Sequence, residues 1–251
     1  MSDSFEENRD SLKRVECQLT GSLAQLRFDE CLLGACDSLE LGPTIRFWQA
    51  SELGIVLGYS NVPEEEIRLD RCLADGVRVF RRASGGGTVL LGPGCLNYSL
   101  ILPMSVSAAL ASVTKTNEYV MNRHRDAIAK LVSDPIAVRG FTDLTLGGKK
   151  FSGNAQRRRR QALLFHGTFL LDFSLPLMER YLLMPSRQPE YRQDRTHSDF
   201  TTNLGRSSAV LRCALEERWG VAGSVPSREI ERLADRFNEA GYRSREIILS
   251  V

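Results

Sequence analysis

The feature that most restricts what this chain can fold into is a run of three glycines, Gly85-Gly86-Gly87, between two short apolar segments at 77–81 and 87–91. Each glycine weakens local order and adds nothing to packing. Such a run is kept where backbone must approach a ligand closely, or where several N–H groups converge on an anion. Arg81, Arg82 and Ser84 precede it, and the two arginines add fixed charge suited to a phosphate or carboxylate. A flexible hairpin turn is the plainer alternative. The spacing excludes a Walker loop, which ends G-K-[ST], and the dinucleotide fingerprint G-x-G-x-x-G.

The flanking pattern supplies the elements that could hold such a cradle. Ala24, Phe28, Cys31, Leu32 and Ala35 fall on one helical face, with Asp29 and Glu30 on the other. Runs at 44–49, with Ile45 and Phe47 alternating, and at 54–58 read as strands, as does 97–102, stopped by Pro103. A long amphipathic helix is expected over 107–131, its stripe formed by Val113, Val120, His124, Ala127, Ile128 and Leu131. His124 is assigned to helix packing. Gly147-Gly148 is a candidate hairpin turn, and 162–173 is strand-like. Val210, Leu211, Ala214 and Leu215 mark one closing helix; Ile230, Leu233, Phe237 and Ala240 mark another, ended by Gly241. The expected architecture is α+β, a mostly antiparallel mixed sheet with flanking helices. It comprises a flexible tail over 1–14 and a single domain over 15–251, with the closing helices at 207–241 and no separate accessory domain.

Composition removes whole classes of function. With 251 residues, 42% hydrophobic and 25% charged, the chain can bury a core and is not a disordered polymer. Thirty-three basic residues against 31 acidic leave a net charge of +2, so nucleic acid is not expected as the partner. Cys17, Cys31, Cys36, Cys72, Cys95 and Cys213 show no C-x-x-C spacing, which argues against a zinc site or a disulfide framework. No run approaches the roughly 20 apolar residues of a membrane helix, and the polar first residues lack a signal-peptide core. A reduced, cytoplasmic protein with no membrane association is expected.

A second segment, 143–155, sends Lys149 and Lys150 out of the Gly147-Gly148 turn at the head of a strand. A lysine held there about 4 Å from a phosphate oxygen gains about 4 kcal/mol at an effective dielectric near 20. An exposed lysine pair in a turn is the alternative. Taken together, R-R-x-S-G-G-G at 81–87, G-K-K-x-S-G-x-A at 148–155 and H-G-T-x-L-L at 166–171 resemble the lipoate–protein ligase A family. This is the lipoate branch of the biotin/lipoate ligase fold, represented by its catalytic domain only. The strand 56–61 and Asn97-Tyr98-Ser99 strengthen the match, which runs from about residue 20 to 205. The glycine–arginine loop with tryptophan of biotin ligases is missing.

The resemblance implies a two-step reaction. ATP, with Mg2+, activates lipoate or octanoate as an acyl-adenylate, and a lysine of a lipoyl carrier protein then takes the acyl group. It implies that Lys150 is the essential lysine, and that Arg81 or Arg82 meets phosphate or the acyl carbonyl. Ser84, Gly85, Gly86 and Gly87 would floor the pocket, with Asp143 beside the nucleotide, where Thr142 replaces an expected asparagine. His166 would border the acyl tunnel, unless it is a satisfied core histidine. Leu57, Val89 and Leu171 are candidate walls for a chain whose methylenes gain about 5 kcal/mol on burial. Arg157, Arg158, Arg159 and Arg160 form either a docking patch for an acidic carrier or a solvated turn.

Two further readings stay open. Full-length ligases carry a C-terminal accessory domain that is missing here, so a separate accessory subunit is one possibility. Octanoyltransferases of the same fold use a cysteine without ATP, yet neither 138–143 nor 162–167 contains one. Cys95, just past the glycine loop, is then the candidate nucleophile. A non-catalytic carrier-domain binding protein ranks third.

Overall fold

Two sheets meet face to face, and the site lies between them. The computed structural model describes residues 11–185, 187–237 and 242–249, except for the side chains of 235–237. The first part of the chain gives β1 (Lys13–Val15), α1 (Ser22–Asp37), β2 (Thr44–Trp48), β3 (Gly54–Leu57), α2 (Pro63–Glu66), α3 (Leu69–Ala74), β4 (Arg78–Arg81) and β5 (Val89–Leu91). The middle gives β6 (Cys95–Pro103), α4 (Val113–Ala129), β7 (Ile136–Arg139), β8 (Asp143–Leu146), β9 (Lys149–Arg158) and β10 (Ala162–Leu170). The last part gives α5 (Pro176–Tyr181), α6 (His197–Phe200), α7 (Ser208–Trp219), α8 (Ser227–Phe237) and β11 (Arg245–Ile247).

The larger sheet has the order β1-β2-β6-β10-β9-β8-β7, the smaller one β11-β4-β3-β5. Among the described strands only β1–β2 and β3–β4 pair in parallel, apart from two isolated bridges, so the mostly antiparallel α+β expectation holds, divided over two sheets. The hairpin β8–β9 turns through Gly147 and Gly148 at φ 56° and 79°, since two positive φ angles are what a two-residue loop of this hand requires.

One face of β6 carries Leu96, Tyr98, Leu100 and Leu102, buried with Val120, Met121 and Ile128 of α4 and Leu211, Leu215 and Trp219 of α7. Next to α1, the opposite face packs Ile101 and Leu164 on Phe28, Leu32 and Leu33, with Ile230 and Leu233 of α8 closing the outside. This double burial corrects the expected solvent face of α1. Asp29 and Glu30 are 1% and 6% exposed, because the helix is sandwiched between the sheet and the C-terminal segment. Glu30 accepts backbone hydrogen bonds from Arg243 and Ser244 at 3.1 and 2.7 Å.

Two boundaries also move. Leu12 is fully buried and β1 follows it, so the tail expected to reach residue 14 ends before Leu12; residues 1–10 lie outside the described residues. The long helix starts at Val113, after two 3-10 turns, capped by the Ser112 hydroxyl. Val113 is half-exposed, whereas Val120, His124, Ala127 and Ile128 are buried as the stripe requires. Ala240 and Gly241, the expected end of the last helix, lie outside the described residues. Among those described, no helix is long and apolar enough to cross a membrane.

Candidate active site

Strand register assembles the floor of the site. Arg46 of β2 stands opposite Ser99 of β6, Ser99 opposite His166 of β10, and His166 opposite Ala155 of β9. The next row is Trp48, Asn97, Thr168 and Gly153. Four strands span about 14 Å, and β3, β5 and the glycine loop roof them. Between lies a cavity of about 850 Å3. Its lining combines polar groups, Lys150, Asp143 and the backbone of Gly85 to Gly87, with an apolar set, Leu26, Trp48, Val56, Val89 and Leu91. A molecule that carries both an anionic group and an apolar chain fits such a lining.

The glycine loop is stapled from inside by Arg82. Its guanidinium donates to the carbonyls of Gly85 (2.6 Å), Gly87 (2.7 Å) and Val56 (3.2 Å) and to Ser84 Oγ (3.0 Å). Burial lowers its pKa to about 10, with Glu66 opposing the shift, so it remains a cation at neutral pH. With these carbonyls drawn inward, the N–H groups of the three glycines donate to no described residue. Backbone N–H groups left open in this way are of the kind that can receive an anion. Gly58 makes room for the loop: a Cβ there would sit 2.1 Å from the Gly86 carbonyl oxygen. Arg81 is placed elsewhere. Its Nη1 serves the carbonyls of Gly58, Tyr59 and Asn61 at 2.8–2.9 Å, which braces the loop from outside the main cavity.

Lys150, the second residue of β9, lies beside a register shift in β8–β9 and bridges Thr201. Its Nζ lies 2.7 Å from Asp143 Oδ1, and Asp143 Oδ2 accepts from Tyr191 Oη at 2.8 Å. Burial and Asp143 push the Tyr191 phenol up, so it stays a donor. The lysine folds back over Gly153, where a Cβ would meet both Cε and Nζ at 3.0 Å. With 29% of the lysine side chain exposed, the pair contributes about 1 kcal/mol or less. A ligand carboxylate or phosphate can therefore replace Asp143 at little cost.

His166 lines the cavity and is held from both sides. Its Nε2 is 2.6 Å from Ser84 Oγ, and its Nδ1 is 3.8 Å from Asp29 Oδ2. Since Arg82 Nε donates to Ser84, the serine proton is free to face Nε2. Asp29 is fully buried: burial raises its pKa, but Arg46 (2.6 Å), His166 and Ser99 (2.7 Å) outweigh this and hold it below the ordinary carboxylate range. Arg46 also reaches the Gln25 carbonyl and side chain. Sequence reasoning missed this network, along with Tyr191 and Asn154, which ties Tyr98 to the Thr142 carbonyl. The signal available was the polar alternation of Asn97 and Ser99 within an apolar strand.

Several expected members lie elsewhere. Cys95 packs fully buried among Ile55, Leu57 and Phe173, and burial pushes its thiol up to about 12; it does not line the cavity, so it is no nucleophile here. Leu57 and Leu171 belong to the core clusters, while Val89 does line the cavity. The four arginines form no single patch, because β9 alternates. Arg157 reaches the Ala83 carbonyl, Arg158 turns onto Leu110 and Thr116, and Arg159 and Arg160 are exposed. His124 is fully buried among Tyr98, Phe169 and Trp219, as a packing residue should be. Among the described residues no group of His, Cys, Asp and Glu could hold a metal ion.

The family model for the lipoyl protein ligase A/B catalytic domain matches residues 22–208. A probable lipoate-protein ligase A of Mycoplasma genitalium is 32% identical over 154 residues, 61% of this chain and 44% of the relative. A putative lipoate-protein ligase A of Aeropyrum pernix is 30% identical over 230 residues, 88% and 82% of the two chains. Other matched relatives are named lipoate-protein ligase A subunit 1 or octanoyltransferase LipM. The chain spans about half the length of several curated relatives it matches. The bi-partite lipoate protein ligase of Thermoplasma acidophilum, solved with its E2 lipoyl domain, shares the fold. Its TM-score is 0.72 at 21% identity, covering 92% of this chain and 93% of that one. The chain, whose glycine loop and Lys150 line one cavity, thus belongs to the lipoyl protein ligase A/B catalytic domain family.

Proposed function

We propose that this protein activates lipoate, or octanoate, with ATP and transfers the acyl group to a lysine of a lipoyl carrier domain. The observation that carries this reading is a single cavity whose lining joins the Asp143-paired Lys150 and the glycine-loop backbone to an apolar set of side chains. The acid's carboxylate and the nucleotide's α-phosphate meet at Lys150, which gives up Asp143 to bind them and stabilises charge as it develops. The amides of Gly85 to Gly87 hold phosphate oxygens. Magnesium would come with the nucleotide and offset phosphate charge, and Asp143, which lines the cavity, would be a carboxylate available to it. The acyl chain runs over Thr168 and Asn97 towards Trp48, Val56 and Leu91. His166, fixed by Ser84 and Asp29, shapes the wall between the two ends. The relatives' names support ligation, and the existence of a bi-partite ligase supports an accessory subunit as a further partner.

The test weighs a lipoyl domain by intact mass spectrometry after incubation with the protein, lipoate and Mg-ATP, or with an octanoyl thioester donor and no ATP. A lipoyl gain that needs ATP and vanishes in Lys150→Ala is expected. A gain from the thioester donor alone would replace ligation by transfer, and the transferring nucleophile would then have to be a residue other than the buried Cys95.

A further inference from the structure

A second hollow of about 490 Å3 has a wall that includes Tyr59, Arg81, Arg243 and Arg245. Ser60 and Asn61 line both this hollow and the active-site cavity, so the two spaces adjoin. Among the described residues no acid lines it.

Its charge is left uncompensated by the strand pairing. Arg245 of β11 stands directly across from Arg81 of β4, and like charges facing each other across a strand pair are unfavourable. The same two strands balance their other end: Arg78 forks onto Glu246 with two bonds of 2.8 Å. The unbalanced end is the one that lines the hollow, where Arg81 Nε is also buried without a hydrogen-bond partner among the described residues. An anion supplied from outside would complete it.

The surroundings say what sort of anion. Tyr59 is 46% exposed, and the guanidinium groups of Arg157 and Arg243 lie over its ring at 6.0 and 5.4 Å from the centroid. Arg243 also donates to its hydroxyl at 3.2 Å. Val62, 44% exposed, follows three residues on and lines the main cavity. An exposed aromatic ringed by arginines has the composition of a protein–protein hot spot rather than of a small-anion pocket.

We infer that the Tyr59–Arg157–Arg243–Arg245 face docks the acceptor domain, its arginines meeting carboxylates that flank the target lysine. The inference rests on the function proposed above and adds the surface that presents the acceptor. It also replaces the run of four arginines at 157–160, of which only Arg157 takes part.

The test uses the full chain, a lipoyl domain with its lysine unmodified, and the double variant Arg243→Glu/Arg245→Glu. Neither side chain lines the main cavity. Adenylate formation from lipoate and ATP, trapped with hydroxylamine in the absence of the domain, should change by less than about twofold. The KM for the domain should rise about tenfold or more, and the dependence of transfer on salt should flatten. An unchanged KM overturns the proposal, as does a parallel fall in adenylate formation, which would place the hollow in nucleotide binding. Inhibition of transfer by inorganic phosphate beyond that of chloride at equal ionic strength, seen in the wild type alone, would make it a small-anion site instead. Should the wild type form no adenylate, the ligase reading fails, and calorimetric titration of the domain decides docking separately. Binding lost in the variant supports docking, and equal binding overturns it.

Discussion

Lys150 and Gly153 are best understood as one unit. The lysine's last carbon and its nitrogen rest 3.0 Å from where a Cβ on Gly153 would stand, so its aim depends on a side chain that is missing. Gly153→Ala leaves backbone and cavity intact but pushes the ammonium off its line. We expect kcat/KM to fall about 10- to 100-fold, with the melting temperature within about 2 °C of wild type, checked by steady-state kinetics and calorimetry. Lys150→Ala is expected to cost more, at least about 100-fold. An alanine at 153 that left the rate untouched would show that the lysine is not held by this contact. The lysine and the glycine were both legible in the G-K-K-x-S-G pattern. That Asp143 holds one side of the ammonium was legible only as proximity in sequence, and Tyr191 not at all, since it enters from 48 residues away.

Among the elements, α1 and β2 carry the least expected part of the site. A charged pair inside a strand and a helix normally marks solvent, and Asp29 was placed there by helical periodicity. Periodicity fails when both faces of a helix are covered, as they are here by the sheet and by the C-terminal segment. Asp29 and Arg46, 2% and 1% exposed along their side chains, hold His166 through Asp29. Breaking a buried pair by removing one partner costs about 3–5 kcal/mol, so Arg46→Met should lower the melting temperature by about 6–20 °C. Asp29→Asn keeps the shape and loses the charge; it should cost less stability while raising KM for the acid, because His166 loses its brace. The smaller sheet was half visible: three strands are written as apolar runs, but β11, the polar segment Arg245–Ile247, pairs with β4 without any such signature.

For the molecule as a whole, acid is the predicted weak point, and His124 is one named cause. It is fully buried, neither ring nitrogen has a partner, and burial lowers its pKa from 6.5 to about 3. The unfolded chain therefore binds a proton that the folded one refuses. The stabilisation is fully present above pH about 6.5 and is lost as pH falls towards 3. Asp29, also lowered, adds to the loss only below the ordinary carboxylate range. His124→Phe should flatten the fall in melting temperature between pH 6.5 and 4, measured by calorimetry at several pH values; an unchanged slope would remove His124 as its source. The helix bearing His124 was readable from its stripe, whereas the division into two sheets depends on strand partners far apart in the chain. The same distance governs how this sequence can drift. Position 58 touches the glycine loop only through empty space that the Gly86 carbonyl fills. In a pool of random variants selected for survival, it should therefore stay glycine as strictly as the loop itself, inheriting the loop's constraint without sharing its chemistry.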